Sequence, residues 1–337
     1  MNKDTILLGF GLLSPVTAST AATIKIDSLL AERRNDSSTQ YVNLLSTEQP
    51  YNQWLLDSSS SRNIDNNRTL HADAAALCQL LYSITSKESI AFYTKSFTDK
   101  RGYWISASNI EVSRIKIFNP NINSFCSELK KLPLIDDKSG FFSKCMLHVI
   151  NGKIVEIAYV TKGTDFATTR DWKANIEQGW SGNTEQYSIS ESNAKKIKDL
   201  RRSIYMINKE IPLYFIGHSL GGGLATRNAV VTGLPAITFN AASLNPRIIT
   251  SNAVNAMNYK KMMQERKLLS FYMEGEILSS KASWYVGLPK PGHRIRISLL
   301  GDTKRNSIDL HDIKHMCNFW GLKSFTLHAN MLEYLYI

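Results

Sequence analysis

The chain lacks the features that define several classes of protein. No apolar run reaches the ~18 residues that a membrane-spanning helix needs. The 337 residues include only four cysteines, none in CxxC spacing, which argues against a zinc site, a thioredoxin-type site and a disulfide-rich scaffold. No internal repeat and no helix-turn-helix, zinc-finger or ribonucleoprotein pattern is present, so nucleic acid is not an expected partner. The cysteines are expected to be core thiols, with one or two bridges allowed if the protein is exported: Cys78, Cys126, Cys145 and Cys317.

Basic residues, in contrast, are abundant. Forty Lys and Arg against 29 Asp and Glu give a formal net charge of +11, spread along the chain. Such a surface attracts anionic surfaces, including phospholipid headgroups. The clearest cluster lies on an amphipathic helix predicted over residues 192–208. Its five cations are Lys195, Lys196, Lys198, Arg201 and Arg202. The simpler interpretation is that they form a solvated helix face, and the alternative is that they contact acidic headgroups.

The composition changes along the chain predict three parts. Residues 1–22 combine Lys3 with an apolar run and then small residues, a pattern that resembles a secretory signal, although no strict Ala-x-Ala cleavage site follows. Residues 23–66 are polar and rich in Ser and Asn, which indicates a loosely ordered extension or a cap. Residues 67–337 are expected to form one large domain, because the hydrophobic content of 43% suffices for a substantial core.

Strand-like and helix-like segments alternate in the third part. Helical spacing predicts a helix over residues 71–84, and Asn151–Gly152 between two β-rich runs predicts a hairpin. This alternation predicts an α/β fold of the α/β-hydrolase type, with a mostly parallel central sheet and helices on both faces. Three further buried strands are predicted at residues 213–216, 235–240 and 268–273, and a half-buried strand is predicted at residues 293–300.

The most informative stretch runs from residue 213 to residue 225. A buried strand leads into Gly217–His218–Ser219–Leu220–Gly221, and a helix of small residues follows, which is the context of a nucleophile elbow. Glycine at both ends suits a turn too tight for side chains. Ser219 would then lie at the turn, with the N-terminus of the helix directed at the reacting centre. An ordinary glycine-rich turn is the alternative interpretation.

A serine nucleophile needs a carboxylate that holds its histidine. In α/β-hydrolase folds the order along the chain is Ser, acid, His, so the acid is sought downstream of Ser219. Glu276 is the best candidate because it closely follows a predicted buried strand and is adjacent to Gly275. Glu274 and Asp302 are the alternatives.

The base is sought further downstream. His311, His315 and His328 lie late enough in the chain, and the residues alone do not separate them. His293 begins a predicted strand and is interpreted as structural. His218, inside the elbow, is expected to face sideways from the nucleophile and not to be the base.

Upstream of the elbow, the strand that ends at Thr161 leads into Lys162–Gly163–Thr164. A Gly-Thr loop at the end of a core strand suits an oxyanion-hole residue, although a plain polar turn is the simpler interpretation of this loop alone. A Gly- and Ser-rich stretch at residues 178–183 suits a mobile flap.

Together these segments resemble the class 3 (fungal-type) lipase family of the α/β-hydrolase superfamily and its bacterial relatives, which include phospholipases. The resemblance covers about residues 70–337. It is found in the elbow at residues 217–225 and in residues 236–241. It is also found in residues 158–164 together with Asp171, Trp172 and Asn175.

The resemblance implies roles for individual residues. Ser219 is the nucleophile, and Thr164 is the oxyanion residue with the backbone N–H of Leu220 as its partner. Glu276 is the acid, at a position where the family usually has aspartate. The base is His328, which lies near the C-terminus and is followed by an aromatic residue, with His315 as the runner-up. Lys162 stands where the family usually has arginine, at a position expected to be structural.

The implied activity is hydrolysis of acyl esters of lipids, of the lipase or phospholipase A type, through an acyl-enzyme and without a metal or cofactor. The basic charge and the predicted flap favour a phospholipid substrate and transient contact with a membrane surface. Bacterial relatives are often exported, some as toxic effectors, which implies an inhibitory or delivery protein as partner and cytoplasmic storage before delivery. The alternatives are an esterase or thioesterase for soluble esters and a non-catalytic interaction protein on the same fold.

Overall fold

The computed structural model describes most of the third part of the chain and some of the second. The described residues are 36–58, 64–83, 91–92, 102–107, 117, 119–163, 185–205, 210–279, 290–299 and 306–322. The helices are α1 (Ser37–Leu45), α2 (Tyr51–Ser58), α3 (Ile64–Ser83), α4 (Ile122–Lys130), α5 (Glu185–Leu200), α6 (Leu220–Thr232), α7 (Pro246–Thr250), α8 (Ala253–Gln264) and α9 (Ile313–Phe319). The strands are β1 (Thr47–Pro50), β2 (Ala91–Phe92), β3 (Gly102–Ser106), β4 (Ile135–Asp136), β5 (Phe141–Ile150), β6 (Lys153–Thr161), β7 (Leu213–His218), β8 (Ala236–Phe239), β9 (Leu268–Met273) and β10 (His293–Ile297).

One twisted sheet organises these elements. Its strand order is β1-β10-β9-β8-β7-β6-β5-β3-β2, and β4 pairs with β5. Neighbouring strands from β1 to β6 along this order are parallel, whereas β5, β3 and β2 are added antiparallel. The predicted α/β fold is thus confirmed: a mostly parallel sheet surrounded by helices, compatible with an α/β-hydrolase-like fold.

The hairpin between β5 and β6 forms as predicted. Asn151 and Gly152 both have positive φ values, 50° and 72°, as a two-residue turn of type I′ requires. The strands pair antiparallel from Ser143 opposite Thr161 to Ile150 opposite Lys153. The register places the side chains of Phe142, Lys144 and Lys162, the residue that follows β6, on the same face of the sheet.

Helix α5 differs from its prediction and changes how its cations are interpreted. The helix begins at Glu185, before the predicted start at residue 192, and a 3₁₀ turn covers Arg201–Ile204. Because α5 connects parallel β6 to parallel β7, its last turns lie at the amino end of the sheet. There Arg201 is buried and donates to the Ile211 carbonyl (3.3 Å), while Lys195 pairs with Glu191 (2.6 Å).

Two apolar cores lie on opposite faces of the sheet. One contains Tyr159, Phe215 and Leu224 and is covered by α5, α6 and α8. The other contains Phe271 and Trp320 and is covered by α2, α3 and α9. The four cysteines are buried free thiols. In the part of the chain that the structure describes, no helix is long and apolar enough to cross a membrane.

Residues 36–58 form two helices and a strand. Asp36 accepts from the Ser38 backbone N–H (2.8 Å) and begins α1, and β1 extends the sheet by pairing parallel with β10. Glu48 in β1 accepts hydrogen bonds from Tyr272 (2.5 Å) and Arg294 (2.6 Å). These residues are therefore part of the main fold.

Candidate active site

The turn that contains the predicted nucleophile, Ser219, connects β7 to α6 at the carboxyl end of the parallel strands. Ser219 has φ 58° and ψ −128°, a conformation that non-glycine residues rarely adopt and that marks a strained turn. Its backbone is held on both sides, because its N–H donates to the Phe239 carbonyl (3.0 Å) and its carbonyl accepts from Ala242 N–H (2.8 Å). Its hydroxyl is buried and has no hydrogen-bond partner among the described residues.

Glycine is required at both ends of this turn. A Cβ at Gly217 would overlap the backbone carbonyl of Gly221, and a Cβ at Gly221 would overlap the carbonyl of Thr161. The Thr161 hydroxyl donates to the Gly221 carbonyl (2.7 Å), which fixes the first turn of α6 on the end of β6. Leu220 is the first residue of α6, and the N–H groups of a helix's first turn have no acceptor within the helix.

The predicted acid, Glu276, and a histidine lie next to this turn. Glu276 follows β9 and is completely buried, and its Oε2 lies 2.6 Å from Nδ1 of His311. The carboxylate also accepts hydrogen bonds from the backbone N–H groups of Leu278 (2.9 Å) and Ser279. The glutamate side chain, which is longer than the aspartate usual in the family, therefore turns back onto the residues that follow it. Because an ionised carboxylate can only accept, Nδ1 of His311 carries the proton in this hydrogen bond.

A buried cation lies behind the acid. Lys290 donates to the Ala241 carbonyl (2.8 Å) and to the Ser279 hydroxyl (3.2 Å). Burial lowers the pKa of Lys290 to about 8, although the negative charge of Glu276 opposes this change. For Glu276, burial alone would raise the pKa, but the hydrogen bond from His311 and the charge of Lys290 outweigh burial and lower the pKa below its usual 4.5. The carboxylate is thus ionised at neutral pH.

The backbone of His311 is held by two polar side chains from the ends of β7 and β8. His218 Nε2 donates to the His311 carbonyl (2.7 Å), so His218 Nδ1 is the acceptor for the Tyr82 hydroxyl (2.9 Å). Asn240, with φ 42°, donates to the same carbonyl (2.9 Å) and accepts from the Met273 N–H (2.9 Å). Burial lowers the pKa of His218 to about 3, with a further contribution from His311, so His218 stays neutral.

A cavity of about 480 Å³ opens beside this pair of histidines. Tyr82 and Gln79 of α3 form part of its wall, and Asp309 and Lys314 also line it. In the described segments, no group of three or more His, Cys, Asp or Glu side chains could hold a metal ion.

The sequence-predicted site residues have different outcomes. Ser219, Leu220, Glu276 and one candidate base, His311, lie together at the carboxyl end of the sheet. His315 points its Nε2 at Asp309 (3.0 Å), and Glu274 is exposed and accepts from Ser298 (2.5 Å).

Several predictions fall on residues that the structure does not describe. They are Thr164, Asp171, Trp172, Asn175, the flap at 178–183, Asp302, His328 and the signal-like residues 1–22.

His293 bonds to Thr47 (2.6 Å) and to the Met263 carbonyl (2.7 Å), contacts that link β10 to its surroundings.

Sequence reasoning missed two residues of the site. Asn240 follows a predicted strand, and asparagine tolerates a positive φ, which is a weak signal for a strand-end turn. Lys290 had no signal, because nothing in the local sequence separates a buried lysine from the many exposed ones.

A strained serine between a parallel strand and a helix, beside a Glu–His pair, is the arrangement of serine hydrolases with the α/β-hydrolase fold. Residues 122–290 match a phospholipase-like family described as a Tle-like phospholipase domain, and this match spans half of the chain. The chain therefore belongs to this family.

The chain is also similar to an extracellular phospholipase A1 of Serratia liquefaciens. The two are 28% identical over 148 residues, which make up 44% of this chain and 44% of that protein. The alignment thus spans less than half of the length of this relative.

Proposed function

We propose that this protein is a phospholipase of the A type, which hydrolyses a carboxylic ester of a phospholipid with Ser219 as nucleophile, His311 as base and Glu276 as acid. The observation on which this proposal depends is the buried hydrogen bond between Glu276 and His311 beside the strained Ser219 turn. The family and the phospholipase A1 relative support a phospholipid as substrate.

The chemistry follows from these positions. Ser219 Oγ attacks the acyl carbonyl carbon, and its proton passes to Nε2 of His311. Glu276 holds the ring through Nδ1 and stabilises the imidazolium that forms. The backbone N–H of Leu220 donates to the oxyanion, together with Thr164 as the sequence predicts, and each such donor typically contributes about 3 kcal/mol.

The intermediate then collapses. His311 gives its proton to the leaving alcohol, a lysophospholipid, and an ester of Ser219 with the fatty acid remains. Water, deprotonated by Nε2 of His311, attacks this ester and releases the fatty acid and the free serine. We infer that His311, rather than His328, is the base, because Glu276 bonds to His311.

The test combines labelling with a lipid assay. The purified protein is incubated with phospholipid vesicles whose two acyl chains carry different labels, and released fatty acid and lysophospholipid are separated. We expect one ester position to be cleaved, labelling of Ser219 by a fluorophosphonate, and loss of both in Ser219→Ala. Full hydrolysis by Ser219→Ala would disprove the proposal.

Three finer points belong to the same proposal. The upstream Gly-Thr, Asp-Trp and Asn residues favour the class 3-like branch of lipases. The signal-like residues 1–22 and the extracellular relative favour export. The predicted large domain at residues 67–337 would include part of the sheet but not β1.

Activity on lipid aggregates well above that on soluble esters would separate a lipase from an esterase.

A further inference from the structure

Two lysines at the ends of β5 and β6, Lys144 and Lys162, differ from the other buried cations. Lys144 in β5 is 5% exposed, and Lys162, directly after β6, is half-buried. Among the described residues neither ammonium group has a hydrogen bond or an ion pair, whereas the other two buried cations, Arg201 and Lys290, both have oxygen acceptors. A buried ammonium group without an acceptor is unfavourable, and burial accordingly lowers the pKa of Lys144.

The two ammonium groups lie close to one ring. Lys144 Nζ is 5.9 Å and Lys162 Nζ is 5.8 Å from the ring centroid of Phe142. Lys162 Nζ is also 5.4 Å from the ring centroid of Tyr82. Aromatic faces stabilise a cation, but they do not neutralise it, so two positive charges share this small apolar environment.

Strand register explains why these side chains meet. Lys144 pairs with Val160 in the antiparallel β5–β6 ladder, and the Lys162 N–H donates to the Phe142 carbonyl (2.9 Å). Lys144 and Lys162 are therefore diagonal neighbours on one face of the sheet, a relation that places side chains about 7–8 Å apart. A phosphate group has oxygens in several directions and can accept from both ammonium groups.

Lys162 of this pair is adjacent in the chain to Gly163, which lies beside Ser219. A Cβ at Gly163, the residue after Lys162, would contact the Cβ of Ser219, the His218 carbonyl and the Tyr82 hydroxyl. In a phospholipid the phosphate is separated from the acyl esters by only a few bonds. The cations of α5, by contrast, are concentrated towards the opposite end of the sheet.

We propose that Lys144 and Lys162 form an anion subsite that binds the phosphodiester of the substrate and so selects phospholipids over neutral lipid esters. This inference rests on the proposed function and adds specificity to it. It also explains why lysine is compatible with a position where the class 3 family usually has arginine.

The experiment measures a ratio of activities. kcat/KM is determined in neutral detergent micelles for a phosphatidylcholine and for a diacylglycerol with the same acyl chains. For Lys162→Met and Lys144→Met we expect the phosphatidylcholine-to-diacylglycerol ratio to fall about 10- to 100-fold, as the loss of charge-assisted hydrogen bonds implies. Lys196→Met, which removes an exposed cation of α5, is the matched control and should leave the ratio at its wild-type value.

Conservative variants separate recognition from structural support. Lys162→Arg and Lys144→Arg keep the charge and should restore most of the ratio, which addresses the case in which a methionine variant folds poorly. If the methionine variants lower both activities equally while thermal melting is unchanged, the pair has no role in selecting the phosphate, and the proposal is wrong.

Two further arms identify the anion and separate this proposal from the proposed function. Glycerophosphocholine should inhibit diacylglycerol hydrolysis by the wild type and inhibit the methionine variants far less. Inhibition by inorganic phosphate alone, with an unchanged substrate ratio in the variants, would indicate a free-anion site and overturn the headgroup assignment. If the wild type hydrolyses neither lipid and fluorophosphonate does not label Ser219, the proposed function fails. Hydrolysis without any preference for phosphatidylcholine overturns only the lysine subsite.

Discussion

The two halves of the candidate site are built in different ways. The nucleophile half, from β7 to the first turn of α6, is positioned by backbone hydrogen bonds and glycine contacts. The acid–base half is positioned by side chains from distant segments: Tyr82, His218, Asn240, Glu276 and Lys290. The first half therefore depends on local geometry, and the second depends on buried polar groups that partner one another.

The proposed base, His311, gives the largest expected effect. His311→Ala removes the proton acceptor while leaving the nucleophile turn intact, so kcat should fall about 10⁵- to 10⁶-fold, as for other triads. Steady-state lipid hydrolysis measures the loss, and circular dichroism shows whether the fold is kept. His328→Ala is the comparison variant and should keep most of its activity. If His328→Ala lost more activity than His311→Ala, His328 would be the base.

The acid gives the next largest effect. Glu276→Gln replaces an acceptor with a group that can donate to Nδ1, which favours the wrong tautomer of His311, and we expect kcat to fall about 10⁴-fold. The variant also leaves Lys290 buried without its counter-charge and should lower the melting temperature. The double variant Glu276→Gln/Lys290→Met should regain stability without regaining activity. Equal activity of Glu276→Gln and wild type would contradict the assignment of the acid.

The glycines of the nucleophile half should respond mainly in stability. In Gly221→Ala the new Cβ meets the Thr161 carbonyl, and neither backbone can move far, so we expect a loss of about 3 kcal/mol or more in the free energy of unfolding. Gly321→Ala is the matched control, because its Cβ would meet nothing within 4 Å and only the positive φ of 71° is unfavourable. That control should cost about 1 kcal/mol. Chemical denaturation compares the two, and similar losses would contradict the tight turn.

The smallest effect concerns acid stability. His218 is neutral in the folded protein down to about pH 3, whereas an unfolded histidine titrates near 6.5. The unfolded state thus binds the extra proton between these values, and stability is complete above pH 6.5 and declines as the pH falls. At pH 5 the loss should be about 2 kcal/mol relative to pH 7.

His218→Gln tests this pH dependence, because an amide can replace both hydrogen bonds without titrating. Between pH 7 and pH 5, the free energy of unfolding of this variant should fall by about 2 kcal/mol less than that of the wild type. The buried His71, whose pKa burial also lowers to about 3, contributes a separate decline in both proteins. Identical pH profiles for His218→Gln and wild type would show that His218 is not a buried neutral group.

The local parts of this architecture could be predicted from the sequence. The elbow and the β5–β6 hairpin are recognisable because glycine and asparagine are needed there for backbone reasons within a few residues. Glu276 could be proposed because it follows a buried strand. The carboxyl ends of parallel strands meet at one edge, so strand-end residues are brought together whatever the loops do.

The choice between histidines could not be predicted in the same way. His311 is selected by Glu276 and by the hydrogen bonds from His218 and Asn240 to its carbonyl, which join parts of the chain 35 to 93 residues apart. Strand β1 was missed for a related reason. Its sequence, Thr-Glu-Gln-Pro, has no β propensity of note, and its place depends on β10, about 246 residues away.

The position of β1 has a consequence for any shortened version of the protein. Because β1 covers one side of β10, a chain that started after residue 58 would present the backbone N–H and C=O groups of β10 to solvent. An uncovered strand of this kind is a template for pairing with another molecule. Strand β1 thus keeps this edge of β10 from pairing with another molecule.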